Sequence, residues 1–220
     1  VDLMNLAPLL TGPELHGKLS GDGRLFNLYD APYVVSYICA DSLSVRNDLI
    51  GDVRFALSWQ EGQRALDLNG TVTRGTIKAL DFTGRMAIKG DNELDLLLLM
   101  DRFDVAFVNP YIPEGISGIH GLVSGNVALT GSWAKPQLNG QVDLQDAGLT
   151  IDYLNTAYSF SSKVDIAPDM FSFDRATVFD EEGHTGLIGA TVIHHDLKDW
   201  NYDVWGTLNT MMALNTTVEM

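Results

Sequence analysis

Cysteine is almost absent. Cys39 is the only one in 220 residues, so no internal disulfide forms and no Cys/His metal spacing can be built around it. Basic residues are scarce as well: 14 Lys and Arg stand against 29 Asp and Glu, a formal net charge of −15. Nucleic-acid binding needs cationic clusters for phosphate, and docking on anionic lipid headgroups needs the same. Long apolar runs are missing too. The longest is Leu96 to Met100, far short of the ~20 residues of a membrane-spanning helix. Helical periodicity is thin: Leu3, Leu6, Ala7 and Leu10 have the right spacing, but Pro8 limits them to a turn or two. Val105 to Ile112 is a similar apolar stretch containing Asn109-Pro110. No βαβ rhythm appears, which excludes the doubly wound nucleotide-binding folds. The chain opens at Val1 inside patterned sequence, without the basic and apolar regions of a signal peptide. It is expected to be a fragment of a longer protein.

What is present is alternation. Apolar residues make up 45% of the chain, too many for an acidic disordered tail, and they recur with the period of half-buried strands. Val53, Phe55, Leu57 and Trp59 alternate with Arg54, Ala56, Ser58 and Gln60. Leu80, Phe82, Met86 and Ile88 share even positions with Gly84, and Val123, Val127 and Leu129 flank Gly125. Leu138, Val142 and Leu144 follow, then Leu149, Ile151 and Tyr153, then Tyr158, Phe160, Val164 and Ile166, and last Tyr202, Val204 and Leu208. The turn signals are Asp22-Gly23, Lys89-Gly90-Asp91, Asp146-Ala147-Gly148 and Glu182-Gly183. Strands of about six to ten residues at this spacing predict an all-β protein with little helix.

An internal repeat organises them. Leu15-His16-Gly17-Lys18-Leu19-Ser20-Gly21 matches Ile119-His120-Gly121-Leu122-Val123-Ser124-Gly125, and Ala7-Pro8-Leu9-Leu10 resembles Asn109-Pro110-Tyr111-Ile112. Two units follow, 1–104 and 105–220, in an elongated array. Glycines inside the alternating runs (Gly70, Gly84, Gly125, Gly131, Gly140, Gly189) suit bulges, strong twist or close approach to backbone. The expected architecture is an elongated, strongly curved sheet of some 16 strands, like an incomplete β-helix, with ~4.8 Å between strands. Its apolar face would form a concave groove. The candidate lining is Val53, Phe55, Leu57, Leu80, Phe82, Met86, Ile88, Val123, Val127, Leu129, Leu138, Val142 and Leu144.

Gly121 to Val142 reads G-L-V-S-G-N-V-A-L-T-G-S-W-A-K-P-Q-L-N-G-Q-V. With Ile151-Asp152-Tyr153, Tyr158-Ser159-Phe160, Phe171-Ser172-Phe173-Asp174, Asp180-Glu181-Glu182-Gly183-His184 and Leu187-Ile188-Gly189-Ala190-Thr191-Val192, this order resembles the TamB/AsmA-like family of Gram-negative envelope proteins, in a Bacteroidota-like form. The likeness covers roughly 105–220 well and 1–104 through the repeat, while Tyr29 to Ser44 departs from the glycine pattern. Thr207-Leu208-Asn209 to Asn215-Thr216-Thr217 resembles the lead-in to a further unit. The resemblance implies a taco-shaped β-groove in the periplasm, part of a protein anchored in the inner membrane through segments absent here. It implies carriage of phospholipid acyl chains to the outer membrane and an outer-membrane barrel partner of TamA type. The alternative it carries is a scaffold or chaperone for barrel and autotransporter assembly and secretion.

No residue set points to an enzyme or to a cofactor. Adjacent His194 and His195 in a strand face opposite ways and cannot share a metal ion. Glu181, Glu182 and His184 read as a solvated acidic turn, and Asp101 and Asp104 near Arg102 as a charged hairpin end. Ser20, Ser124 and Ser132 lack a nucleophile elbow. Cys39 reads as a buried small hydrophobe, and Trp133 as packed in the Gly131–Pro136 bend. A polysaccharide-cleaving β-helix would need carboxylates grouped in one groove, and here the acids are scattered.

Overall fold

The computed structural model describes residues 15–27, 29, 32–45, 48–60, 65–87, 93–112 and 114–212. The predicted Leu3–Leu10 turn, the Lys89-Gly90-Asp91 turn and Ile88 of the candidate lining lie outside them. The described residues are overwhelmingly strand. Their order is β1 (Leu15–Phe26), β2 (Tyr33–Val45), β3 (Asp48–Gln60), β4 (Ala65–Arg74), β5 (Ile77–Ala87), β6 (Leu94–Asp104), β7 (Ile116–Gly131), β8 (Pro136–Ile151), β9 (Thr156–Ala167), β10 (Met170–Asp180), β11 (Thr185–His195) and β12 (Lys198–Leu208). In the sheet they keep sequence order, each bonded to the strand before and after, with β1 and β12 at the two ends. The all-β expectation holds, in an open antiparallel meander. The described residues contain twelve strands rather than sixteen, because the strands are longer than expected, 10 to 16 residues.

Two of the predicted turns turn out to be strand interiors, which accounts for that length. Asp22-Gly23 sits in the middle of β1, paired with Tyr37 and Ser36. Asp146-Ala147-Gly148 lies within β8 as a bulge: the register with β9 shifts between Leu144 and Ala147. Asp146 takes a left-handed φ of 48° there, and its N–H donates to Ser161 Oγ at 3.0 Å. A bulge absorbs one extra residue and turns the following side chains back to the same face. Glu182-Gly183 does form the β10–β11 turn. Asp101 and Asp104 belong to β6 rather than to a hairpin end. Asp104 Oδ1 accepts from Ala106 N at 2.8 Å and opens a 3-10 helix, Val105–Tyr111.

The strands fall into two sets of six. β6 and β12 occupy 94–104 and 198–208, an offset of 104. By packing, the chain forms two compact units: Val1–Asp101 with Asn126–Leu138 (unit 1), and Arg102–Gly125 with Asn139–Met220 (unit 2).

Candidate functional site: the apolar sheet face

In unit 1 the registers of β1 to β6 line up side chains directly across the sheet. Leu19, Ala40, Val53, Val72, Leu80 and Met100 form one row. Gly21, Ile38, Phe55, Gly70, Phe82 and Leu98 form the next, followed by Gly23, Ser36, Leu57, Leu68, Gly84 and Leu96. A fourth holds Leu25, Val34, Trp59, Leu66, Met86 and Leu94. No ionisable side chain interrupts these rows. Period two puts alternate residues on one face, and unbroken registers keep that face common to all six strands.

The sequence-predicted lining is brought together here in part. Val53, Phe55, Leu57, Leu80, Phe82 and Met86 share the face; Val53 is buried and the other five are half-buried. Val127, Leu129 and Leu138 belong to the same unit, with Val127 buried. Val123, Val142 and Leu144 belong to unit 2. Sequence reasoning missed β4 and β6, whose Leu66, Leu68, Leu94, Leu96, Leu98 and Met100 complete the rows.

Two glycines shape the surface. At Gly70 a Cβ would strike the Phe55 and Phe82 side chains. Those rings, with centroids 6.3 Å apart, close over the bare backbone and shield it. Gly84 has a φ of +150°, and a Cβ there would run into the Asp95 carbonyl and Leu96 Cα, so β5 and β6 approach as only glycine permits.

The opposite face of unit 1 is largely polar. Arg85 and Asp67 stand directly opposite each other and pair at 2.9 Å, and Lys78 pairs with Asp81 at 2.8 Å. Cys39 is on this side, half-buried rather than fully buried, since polar strands give it no second layer. Trp133, expected to pack in its bend, is 64% exposed. Its N–H donates to Glu93 Oε2 at 3.2 Å, which holds the backbone and leaves the ring free.

Unit 2 has a corresponding face. Ile166, Phe171, Val192 and Tyr202 make one row, and Ala147, Phe160, Val178, Gly186 and Leu208 another. Here the face ends in polar groups. At one end the Asp180 side chain is fully buried. Its Oδ1 accepts from Glu182 N (3.0 Å) and His184 N (2.8 Å), and its Oδ2 from Met212 N (2.8 Å) and His184 Nδ1 (3.1 Å). Burial works against the carboxylate, but the N–H donors of Met212 and His184 and the imidazole outweigh it, so the pKa is lowered. The Tyr158 hydroxyl donates to Met212 O at 2.8 Å; burial, with Asp180 nearby, raises its pKa.

At the other end His194 is buried and His195 exposed, as alternation requires. The His194 ring sits 5.0 Å from Phe171 and 5.2 Å from Trp200. Nδ1 accepts from Leu197 N at 3.2 Å, and Nε2 is enclosed without a hydrogen-bond partner among the described residues. Burial lowers its pKa, with His195 adding to the effect and Asp169 and Asp196 opposing it.

Among the described residues no three His, Cys, Asp or Glu side chains converge as a metal set, and no helix is long and apolar enough to cross a membrane. Set against family models, curated proteins and solved structures, the chain matches none.

Proposed function

We propose that this chain is a non-enzymatic groove protein of TamB/AsmA-like type, carrying phospholipid acyl chains across the periplasm along its apolar sheet face. The observation that carries the reading is the set of four rows in unit 1, continuous over six strands and free of ionisable side chains. Six strands at ~4.8 Å make a row about 24 Å long. That exceeds the ~15 Å that one leaflet's chains occupy in a bilayer. Each methylene taken out of water contributes ~0.8 kcal/mol, so covering eight of them against half-buried side chains is worth roughly 6 kcal/mol. Neighbouring rows are alike in chemistry, so a chain can shift between them without a deep well at any one position.

Under this reading the full-length protein is anchored in the inner membrane and meets an outer-membrane barrel of TamA type. Phe82→Asp and Phe55→Arg place a charge in the second row. Both variants are expected to fold and to lose uptake and transfer of fluorescent phospholipid between vesicle populations. Wild-type transfer by both, or a clean unliganded mass in native mass spectrometry of the gently purified protein, would sink the reading. The second reading, a scaffold for barrel assembly, is favoured by the exposure of β12 along nearly its whole length; crosslinks from β12 to nascent barrel strands in place of lipid would support it.

A further inference from the structure

We propose that a cleft in unit 1 binds a neutral saccharide of glucose-like, all-equatorial configuration. This inference is independent of whether the apolar face carries lipid.

The cleft has a volume of about 460 Å³, within the range of small-molecule sites. It lies where β5 to β8 come to one end of the sheet. Arg85 of β5 lines it, with Leu94 and Asp95 at the start of β6, Thr130 and Gly131 at the close of β7, and Gln137 near the start of β8. The whole lining belongs to unit 1. Leu94 is buried and supplies an apolar part of the wall. Gly131 has a φ of +88°, and a Cβ there would strike the Lys135 carbonyl. Glycine at this position lets β7 turn sharply into the bend beside the cleft. Ser132 N donates to Lys135 O at 3.3 Å and Lys135 N to Ser132 O at 3.1 Å, which closes that bend.

The polar part of the lining is uncommitted. Register sets Asp67, Arg85 and Asp95 side by side on β4, β5 and β6. Arg85 Nε donates to Asp67 Oδ1 at 2.9 Å, so one carboxylate already balances the guanidinium. Asp95 is left without a partner among the described residues. The terminal amino groups of Arg85, the Thr130 hydroxyl and the Gln137 side-chain amide are unengaged there as well. Donors and acceptors thus converge on one space. An anion placed in it would meet Asp95, and a cation would meet Arg85. A polyol meets neither penalty, because each hydroxyl both donates and accepts. Flat carboxylate, amide and guanidinium groups also match pairs of neighbouring hydroxyls, with two contacts from one side chain.

Trp133 supplies the second, independent observation. Its ring is 64% exposed, although its backbone is fixed at the rim of the cleft. The Trp133 N–H is held by Glu93 Oε2 at 3.2 Å, next to Leu94 in sequence. Gly131 and Gln137, on either side of the bend, both line the cleft. A tryptophan on anchored backbone offers a large flat surface at little cost in conformational freedom. A sugar ring with only equatorial substituents shows C–H groups alone on its two faces and can lie flat on an indole. Axial hydroxyls would interrupt that face, which selects the glucose-like configuration.

Titration of the 220-residue protein with cellotetraose, and separately with chitotetraose, tests this by NMR. At least one is expected to move the Trp133 indole N–H and the backbone amides of Thr130, Gly131 and Gln137, saturating at millimolar sugar. With that sugar, Asp95→Ala should weaken binding about ten-fold, as for a hydrogen bond to a charged group. Trp133→Ala should weaken it about ten-fold through the lost stacking surface. Phe82→Asp, which spoils the apolar face, should bind the sugar like wild type, so loss of lipid transfer and loss of saccharide binding are told apart. Should Asp95→Ala or Trp133→Ala disturb the fold by circular dichroism, Gln137→Ala at its exposed position replaces it, with about a five-fold loss. No response to either sugar, shifts confined to other parts of the chain, or variants that bind like wild type would each overturn the proposal. So would inorganic phosphate or ethanolamine moving these signals where the sugars do not, since the cleft would then select charge.

Discussion

The apolar face of unit 1 and that of unit 2 come from the same repeat but end differently. In unit 1 the rows from β1 to β6 meet no titratable group. In unit 2 the face is bounded by buried Asp180 with Tyr158 at one end and buried His194 at the other. The first face is held by backbone pairing and apolar contact and should be indifferent to pH. The second is pinned in part by hydrogen bonds to titratable groups, which protonation weakens or breaks. Repetition of a strand pattern thus fixes the face, and a few substitutions at its rims decide what conditions it tolerates.

The sharpest test removes apolar contact from unit 1. Leu94 is 2% exposed on the fourth row. Leu94→Ala should cost about 3 kcal/mol, the transfer term plus an unfilled cavity. Native-state hydrogen exchange should place the loss in β4 to β6, with β9 to β12 keeping their protection. Equal loss in both units would show that they open together and would remove the basis for contrasting them.

A smaller effect comes from acid. His194 has a lowered folded-state pKa, so the folded protein binds fewer protons than the unfolded chain as pH falls past the ordinary value of 6.5. Its contribution is complete above that value and declines below it until the folded pKa is reached. Protonation also puts a proton on Nδ1, which must then give up Leu197 N. Amides of β11 and β12 should lose protection between neutral and mildly acid pH while those of β3 to β5 do not. His194→Phe should cost about 1 kcal/mol for the lost hydrogen bond and abolish the pH dependence. A pH response that survives in the variant would place the sensor elsewhere.

These two ends differ in how far the sequence revealed them. The period-two runs of β3, β5 and β8 were legible because one face is apolar and the other polar. β6 was not, since Leu96 to Met100 reads as a continuous apolar run. In the sheet it is a strand apolar on both sides, with Leu97 and Leu99 39% and 44% exposed and Leu96 buried. Asp22-Gly23 has the composition of a turn, yet β1 runs straight through it, paired with Tyr37 and Ser36. Alternation alone put His194 and His195 on opposite faces, but which one is inside depends on a register read only in the structure. Asp180 was hidden for another reason: its donors come from residues two, four and 32 positions away, and no local spacing encodes Met212.

Asp180→Asn gives a subtler test of the same rim. It removes a charge that helps hold Tyr158 above its ordinary pKa, although burial is the larger cause. Tyrosinate absorbance during an alkaline titration should show Tyr158 ionising at a lower pH in the variant, still above the ordinary value. The native carboxylate, with its lowered pKa, stabilises unit 2 above the ordinary carboxylate range. That contribution fades as pH falls from the ordinary carboxylate range through the folded pKa. An unchanged Tyr158 titration would mean that the charge is screened from the ring and that the rim is held by hydrogen bonds alone.

The smallest effect belongs to the polar face of unit 1. Asp67 and Arg85 are register partners at 2.9 Å, yet their side chains are 46% and 55% exposed. Exposed pairs of this kind contribute roughly 0.2–1 kcal/mol, reduced further by salt. Behind them Leu66 faces Met86 on the apolar side, so backbone pairing and apolar contact keep the register without the charges. Asp67→Ala should therefore lower stability by no more than about 0.5 kcal/mol, and the difference should vanish in high salt. A loss of about 2 kcal/mol or more, well beyond the range of exposed pairs, would mean that the polar side holds the strands together. The apolar rows of unit 1 would then not be self-sufficient, and the contrast with the pinned face of unit 2 would fail.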